Sequence, residues 1–150
     1  VINDYRQQSS IYKVEIALEG DTAAEPHGGE MVRGEYLLCY SLFSNLLVNA
    51  VEASEKNDTV RVYVSQESPE WINVSVWNSQ PLPEEIRVNF GKKYATAGKK
   101  RGTGLGLYSA RLMTETQGGA ISWSSSEEEG TTIMVTLPAG EQVQEGEGEE

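Results

Sequence analysis

Two groups of residues in this chain have the types and spacing to hold a charged ligand. The first lies in segment 35–54, where Ser41, Asn45, Asn49 and Glu52 fall at i, i+4, i+8 and i+11. They make one polar stripe on a segment whose apolar positions, Leu38, Leu42, Leu46, Leu47, Ala50 and Val51, recur at helical spacing. Two asparagines four apart on a helix present amide oxygens to a shared point. Such oxygens are hard ligands, suited to a magnesium ion that keeps several of its waters. Read without context, the same stripe is also a narrow solvated face of a buried helix.

The second group is Gly102-Thr103-Gly104-Leu105-Gly106-Leu107, which runs straight into a helical pattern at 105–117. Glycines let backbone approach an anion, and the unpaired N–H groups at a helix start bind phosphate oxygens. No Lys-Ser or Lys-Thr follows, so this is not a P-loop. The glycine spacing, and the lack of a preceding parallel βαβ unit, exclude a dinucleotide fingerprint.

Charge points the same way. The net charge is −11 over 150 residues, and five of the acids, Glu141, Glu145, Glu147, Glu149 and Glu150, lie in the last ten positions. The rest of the chain still carries −6. Half of the twelve bases, Arg87, Lys92, Lys93, Lys99, Lys100 and Arg101, fall within fifteen positions. A basic segment in an acidic domain fits a local anionic ligand and not a nucleic-acid surface. Taken without its neighbours, it is equally a solvated basic loop.

The elements that must position these groups follow from the hydrophobic pattern. With 38% hydrophobic residues the chain is long and apolar enough for one folded domain with a real core. Residues 1–10 read as the end of a helix, or a linker, entering from a preceding part. Residues 11–19 alternate and predict a strand; residues 20–34 predict a loop, and 35–54 a long helix. Residues 59–65 and 71–77 predict a hairpin. Residues 78–102 predict a long loop with a short helix at 84–89, a length that usually carries function. A helix at 105–117, ended by Gly118-Gly119, and strands at 120–126 and 131–137 complete the pattern, with Pro138 closing the domain. The expected fold is an α/β two-layer sandwich, helices covering one face of a mixed, mostly antiparallel sheet. Residues 139–150 predict a disordered acidic tail. No run of apolar residues is long enough to predict a membrane span, and no basic-then-apolar signal segment opens the chain. The lone Cys39 excludes a disulfide framework and reads as a core thiol in a reducing compartment.

NLLVNAVEA on one helix, a strand ending in VWN, a basic loop, KYATAGKKRGTGLGLYSARL and then GTTIMVTLP together resemble the catalytic, ATP-binding domain of sensor histidine kinases. That domain belongs to the superfamily shared with gyrase B, heat-shock-ninety chaperones and mismatch-repair ATPases. The resemblance covers about residues 10–138 and implies the Bergerat fold, a mixed sheet with about three helices. It implies Mg-ATP as cofactor, with Asn49 as the magnesium ligand and Asn45 beside it. The relatives that hydrolyse ATP place a water-activating glutamate where Asn45 stands. An amide takes no proton, so hydrolysis is disfavoured, whereas phosphoryl transfer to a supplied histidine needs positioning and charge neutralisation more than a base. Glu52 matches a position often basic in other kinases. Gly102, Thr103, Gly104, Leu105, Gly106 and Leu107 match the glycine box over the phosphates. Phe90 matches the loop phenylalanine, and Lys93, Tyr94, Lys99, Lys100 and Arg101 match phosphate-contacting positions of the lid. Thr131 matches a threonine near the adenine.

One motif departs from the pattern. The family usually has Asp-x-Gly after the strand that ends here at Asn78; this chain has Asn78-Ser79-Gln80. The Asn78 amide oxygen can still accept from the adenine amino group. Gln80 in place of glycine predicts either a strained turn or an outward side chain, and so a weaker pocket. It also keeps open a degenerate, non-catalytic regulatory or protein-interaction module of the same fold. The only histidine, His27, lies in a glycine loop and reads as a surface residue, so the acceptor histidine is expected on a dimerisation domain outside this chain. The implied activity is an ATP-dependent protein-histidine kinase in the cytoplasm. Its expected partners are that dimerisation domain and a downstream response regulator, with no nucleic acid and no membrane contact.

Overall fold

The computed structural model describes residues 1–20, 32–92 and 106–140. Helix α1 (Ile2–Tyr12) leads into strand β1 (Glu15–Gly20). Helix α2 (Tyr36–Ala53) is followed by strands β2 (Thr59–Ser68) and β3 (Trp71–Asn78). The short helix α3 (Glu84–Val88), helix α4 (Gly106–Thr116) and strands β4 (Ala120–Ser126) and β5 (Gly130–Pro138) follow. The strands form one sheet in the order β1-β2-β3-β5-β4. β1 runs parallel to β2 with α2 crossing between them, a βαβ unit that the sequence pattern does not predict, and the other pairs are antiparallel. The predicted two-layer sandwich is therefore what forms.

Strand alternation builds the core. On β3, Ile72, Val74, Val76 and Asn78 are buried while the residues between them are not. Their neighbours on β5, Leu137, Val135, Ile133 and Thr131, are buried in register with them. α2 lays Leu42, Leu46, Leu47, Ala50 and Val51 on this face. Leu42 and Leu46 are fully inaccessible to solvent, and each leucine buried so completely contributes about 1.5–3 kcal/mol. α2 is also long and apolar enough, by length and composition, to cross a membrane. Its apolar side is spent on the sheet.

Two boundaries differ from expectation. The strand predicted at 11–19 starts only at Glu15, because Ile11 and Tyr12 belong to the last turn of α1. Lys13, at φ 55°, breaks that helix. The Val14 N–H turns back to Ser9 O, and Asn57 N–H donates to Lys13 O at 2.8 Å. Alternation over three residues does not separate a strand start from a helix end. At the other end, Pro138 does not close the domain. It pairs with Trp71 inside β5, Ala139 N–H donates to Glu70 O at 2.8 Å, and Ala139 bridges to Val32. Residues 141–150, which hold most of the expected acidic tail, lie outside the described residues.

The turn from α4 to β4 depends on glycine. Gly118 sits at φ 78°, and a Cβ on Gly119 would collide with the Thr136 carbonyl oxygen on β5. Gly119 N–H closes the helix end onto Thr114 O at 3.0 Å.

Candidate functional site

The polar stripe of α2 begins one turn inside a capped helix. The Glu35 carboxylate accepts from Leu38 N–H at 3.3 Å, satisfying one of the open donors of the first turn. Along the stripe Ser41 and Glu52 are exposed, whereas Asn45 and Asn49 are half-buried. α4 packs along α2. The two asparagines are thus not a simple solvated face. Gly106, the first residue of α4, lies beside Asn49. A Cβ placed on Gly106 would stand 3.0 Å from Asn49 Nδ2 and 3.6 Å from its Oδ1. The asparagine pair and the end of the glycine run, 57 positions apart in sequence, are brought together here. A helix start, whose first N–H groups have no acceptor within the helix, thus lies beside an amide. Leu107 packs against the core and anchors that start.

The second half of the site forms at the ends of β3 and β5. Asn78 and Thr131 are register partners, 6% and 2% exposed. Asn78 Oδ1 accepts from Gln80 N–H at 3.0 Å. Gly130, at φ 72°, lets β5 pass so close that a Cβ there would strike the Asn78 carbonyl oxygen and lie 2.9 Å from Ser79 Cα. Thr131 Oγ1 donates to Gln80 O at 2.7 Å. Its only proton is then committed, so Ser125 Oγ, 2.9 Å away, must donate to Thr131. Ser125 Oγ in turn accepts from Leu82 N–H at 2.6 Å. Four groups form one directed relay, Leu82 N–H to Ser125 to Thr131 to Gln80 O, that fixes backbone 80–82 over the strand ends.

Of the two alternatives expected for Gln80, a strained turn or an outward side chain, the backbone excludes the first. Among the described non-glycine residues only Lys13 and Asn57 have positive φ. Gln80 takes its turn in ordinary backbone space, and its side chain lies toward Ser79 Oγ at 3.4 Å. No strain arises from the missing glycine. Thr131 gives its proton to the protein backbone.

Asp58 ties the same loop to the end of α2. Its Oδ2 accepts from Glu55 N–H at 2.9 Å and from Ser79 Oγ at 2.8 Å. These two donors hold its carboxyl below the ordinary value of 3.8. Sequence reasoning missed Asp58 and Ser125. Asn57-Asp58 was legible as a turn, and the alternation Ile121, Trp123, Ser125 placed Ser125 on the inward face, but neither shows a partner.

Phe90 stacks on Trp123 with ring centroids 5.6 Å apart and packs against the core. It therefore anchors the base of the basic segment on β4. Trp77, although next to Asn78, lies on the opposite face of the sheet. Its indole N–H donates to Glu129 O at 2.7 Å, and Arg61 lies over its ring. Within the basic segment Arg87 is spent on Leu82 O at 2.7 Å, and Lys92 is exposed. Lys93, Tyr94, Lys99, Lys100, Arg101, Gly102, Thr103, Gly104 and Leu105, and also His27, lie outside the described residues.

Cys39 is half-buried. Its thiol donates to Gln117 Oε1 at 3.2 Å, and burial is the main cause that pushes its pKa up, away from a reactive thiolate. A separate cavity of about 400 Å³ lies between α1 and the sheet, lined by residues such as Leu18, Phe43 and Val64. None of the site residues named above lines it.

A model of the histidine kinase-, DNA gyrase B-, and HSP90-like ATPases matches residues 34–141. The chain belongs to this ATPase family. Within it, the domain is 29% identical over 108 residues to sporulation kinase A of Bacillus subtilis (strain 168), an alignment covering 71% of this chain and 18% of that protein. It is 31% identical over 99 residues to the adaptive-response sensory kinase SasA of Prochlorococcus marinus, covering 63% and 26%. This ATPase-family chain thus spans a quarter or less of the first of those relatives and about a quarter of the second. Among solved structures it superposes on the mycobacterial sensor histidine kinase MprB with a TM-score of 0.77, at 20% identity, covering 91% of this chain and 90% of that one. It superposes on the catalytic domain of histidine kinase ThkA with a TM-score of 0.74, at 25% identity, covering 91% and 86%. It also matches full-length ShkA in complex with AMPPNP, with a TM-score of 0.74 at 18% identity, covering 92% of this chain and 28% of that one. The domain has the Bergerat fold of histidine kinase catalytic domains.

Proposed function

We propose that this chain binds Mg-ATP between α2, the start of α4 and the ends of β3 and β5. It would deliver the γ-phosphoryl group to a histidine on a separate dimerisation domain, from which a response regulator would take it. The observation that carries the reading is the contact of the Asn49 amide with Gly106, which joins a metal-ligating residue type to a phosphate-binding helix start. The donor set fits magnesium: Asn49, with Asn45 one turn before it, offers neutral hard oxygens beside a place for phosphates. Among the described residues no His, Cys, Asp and Glu group could hold a metal by itself, so the nucleotide would complete the coordination. When bound, the ion would neutralise charge on the transferring phosphates.

The chain's own residues would then work by position. Asn78 and the 80–82 backbone, held by Ser125 and Thr131, would seat the base. Gly102, Thr103, Gly104, Leu105 and Gly106 would cradle the phosphates, with Lys93, Tyr94, Lys99, Lys100 and Arg101 closing from the lid and Phe90 anchoring it. Asn45 cannot abstract a proton, which favours transfer to a histidine over transfer to water. Such a module would act in the cytoplasm, where ATP is available. The unstrained turn at Gln80 supports nucleotide binding over a degenerate module.

The test is incubation with radiolabelled ATP and magnesium, with and without the dimerisation domain of the longer protein. Acid-labile label is expected on the supplied domain's histidine and none on this chain. Label on this chain that survives His27→Ala would contradict the reading.

A further inference from the structure

We infer that the base pocket accepts 6-oxopurine nucleotides such as GTP alongside ATP, and that Asn78 is the residue that sets this breadth. The inference rests on the nucleotide-binding reading above and extends it to substrate class.

Which way the Asn78 amide faces is decided by chemistry. Gln80 N–H is a donor 3.0 Å from one end of that amide, so that end is the oxygen, Oδ1. The other end is Nδ2, which donates only. No hydrogen-bond partner of Nδ2 is found among the described residues, although Asn78 is only 6% exposed. Nδ2 is not among the described polar atoms that are both sealed from solvent and without a partner, so it is an accessible donor that an acceptor on a ligand can meet.

The amide cannot turn over to hide that donor. Backbone 80–82 is pinned by Thr131 at Gln80 O and by Ser125 at Leu82 N. A flipped Asn78 would bring an NH₂ group against the Gln80 N–H, two donors face to face.

The amide therefore offers a bound base two kinds of contact: the second lone pair of Oδ1 as acceptor and Nδ2–H as donor. Adenine presents an amino donor beside the N1 acceptor. A 6-oxopurine presents the O6 acceptor beside the N1–H donor. An amide pairs with either arrangement, one bond to each of its ends. A carboxylate in its place offers acceptors only. It would suit the adenine amino group but would face O6 with a repelling lone pair. A site that leaves a polar group unmet rejects the wrong ligand strongly, and at positions 6 and 1 the Asn78 amide leaves neither purine type unmet.

The test is calorimetric titration of the whole chain with non-hydrolysable ATP and GTP analogues plus magnesium, for the natural protein and for Asn78→Asp. That substitution is isosteric and keeps an acceptor for Gln80 N–H; an unchanged melting temperature checks that the fold is kept. We expect the two analogues to bind the natural protein within about tenfold of each other. In Asn78→Asp the ratio of ATP-analogue to GTP-analogue affinity should rise by about tenfold or more. An ATP preference of about a hundredfold or more in the natural protein, unchanged in Asn78→Asp, would overturn the inference and leave the ATP-binding reading standing. Absence of binding by both analogues to both proteins would overturn that reading, and this inference with it.

Discussion

The side-chain amide of Asn49 lies against Gly106, so close that the smallest side chain at 106 would stand 3.0 Å from Asn49 Nδ2. One residue sits in the last turns of the core helix and the other opens the helix that follows the basic segment. Their contact brings together two motifs that are remote in sequence.

Gly106→Ala separates this contact from folding. Alanine at a helix start does not weaken the helix, so the melting temperature should stay the same or rise. The added methyl displaces the amide, and Mg-dependent affinity for an ATP analogue should fall by about tenfold, or ~1.4 kcal/mol. Calorimetric titration beside thermal melting checks both halves. Unchanged affinity would show that Asn49 and Gly106 do not act together.

Gln80→Gly should not tighten nucleotide binding, because the native turn has no positive φ to relieve. Affinity should stay within about threefold. Stability should drop by about 0.4–1 kcal/mol, since glycine adds freedom to the unfolded chain. Denaturant titration and calorimetry of the variant check this, and markedly tighter binding would restore the idea of a compromised pocket.

Asp58 gives a pH signature. Its folded-state pKa is depressed by the Glu55 and Ser79 donors. Its stabilising contribution is therefore fully present above the unfolded value and is lost as pH falls through the folded one. Asp58→Ala should be less stable than the natural protein at neutral pH, and the gap should narrow below about pH 4. Urea midpoints measured from pH 7 to pH 3 check this. A gap that does not change with pH would mean that the carboxylate charge plays no part in tying α2 to the loop after β3.

Much of this architecture was legible because local pattern and burial agree. The spacing of Leu42, Leu46 and Leu47 announced α2, and alternation announced β2, β3, β4 and β5. Asn45, Asn49 and Gly106 were legible as residue types, yet only packing showed that Asn49 touches Gly106. The Ser125–Thr131–Gln80 relay was not legible, because register alone places Ser125 opposite Thr131. The absence of strain at Gln80 was not legible for a related reason. A glycine in a family pattern marks tolerated space, and only backbone angles tell whether positive φ is needed. The end of α1 was missed because Lys13 breaks the helix through a contact with Asn57, 44 positions away.

The most direct test of the account is the magnesium dependence of nucleotide binding in Asn49→Ala. In the natural chain, an ATP analogue titrated calorimetrically should bind markedly tighter with magnesium than without it. In Asn49→Ala the magnesium-dependent part of that affinity should be lost, while the melting temperature of this half-buried position changes little. Equal magnesium enhancement in the natural chain and in Asn49→Ala would contradict the assignment of the site.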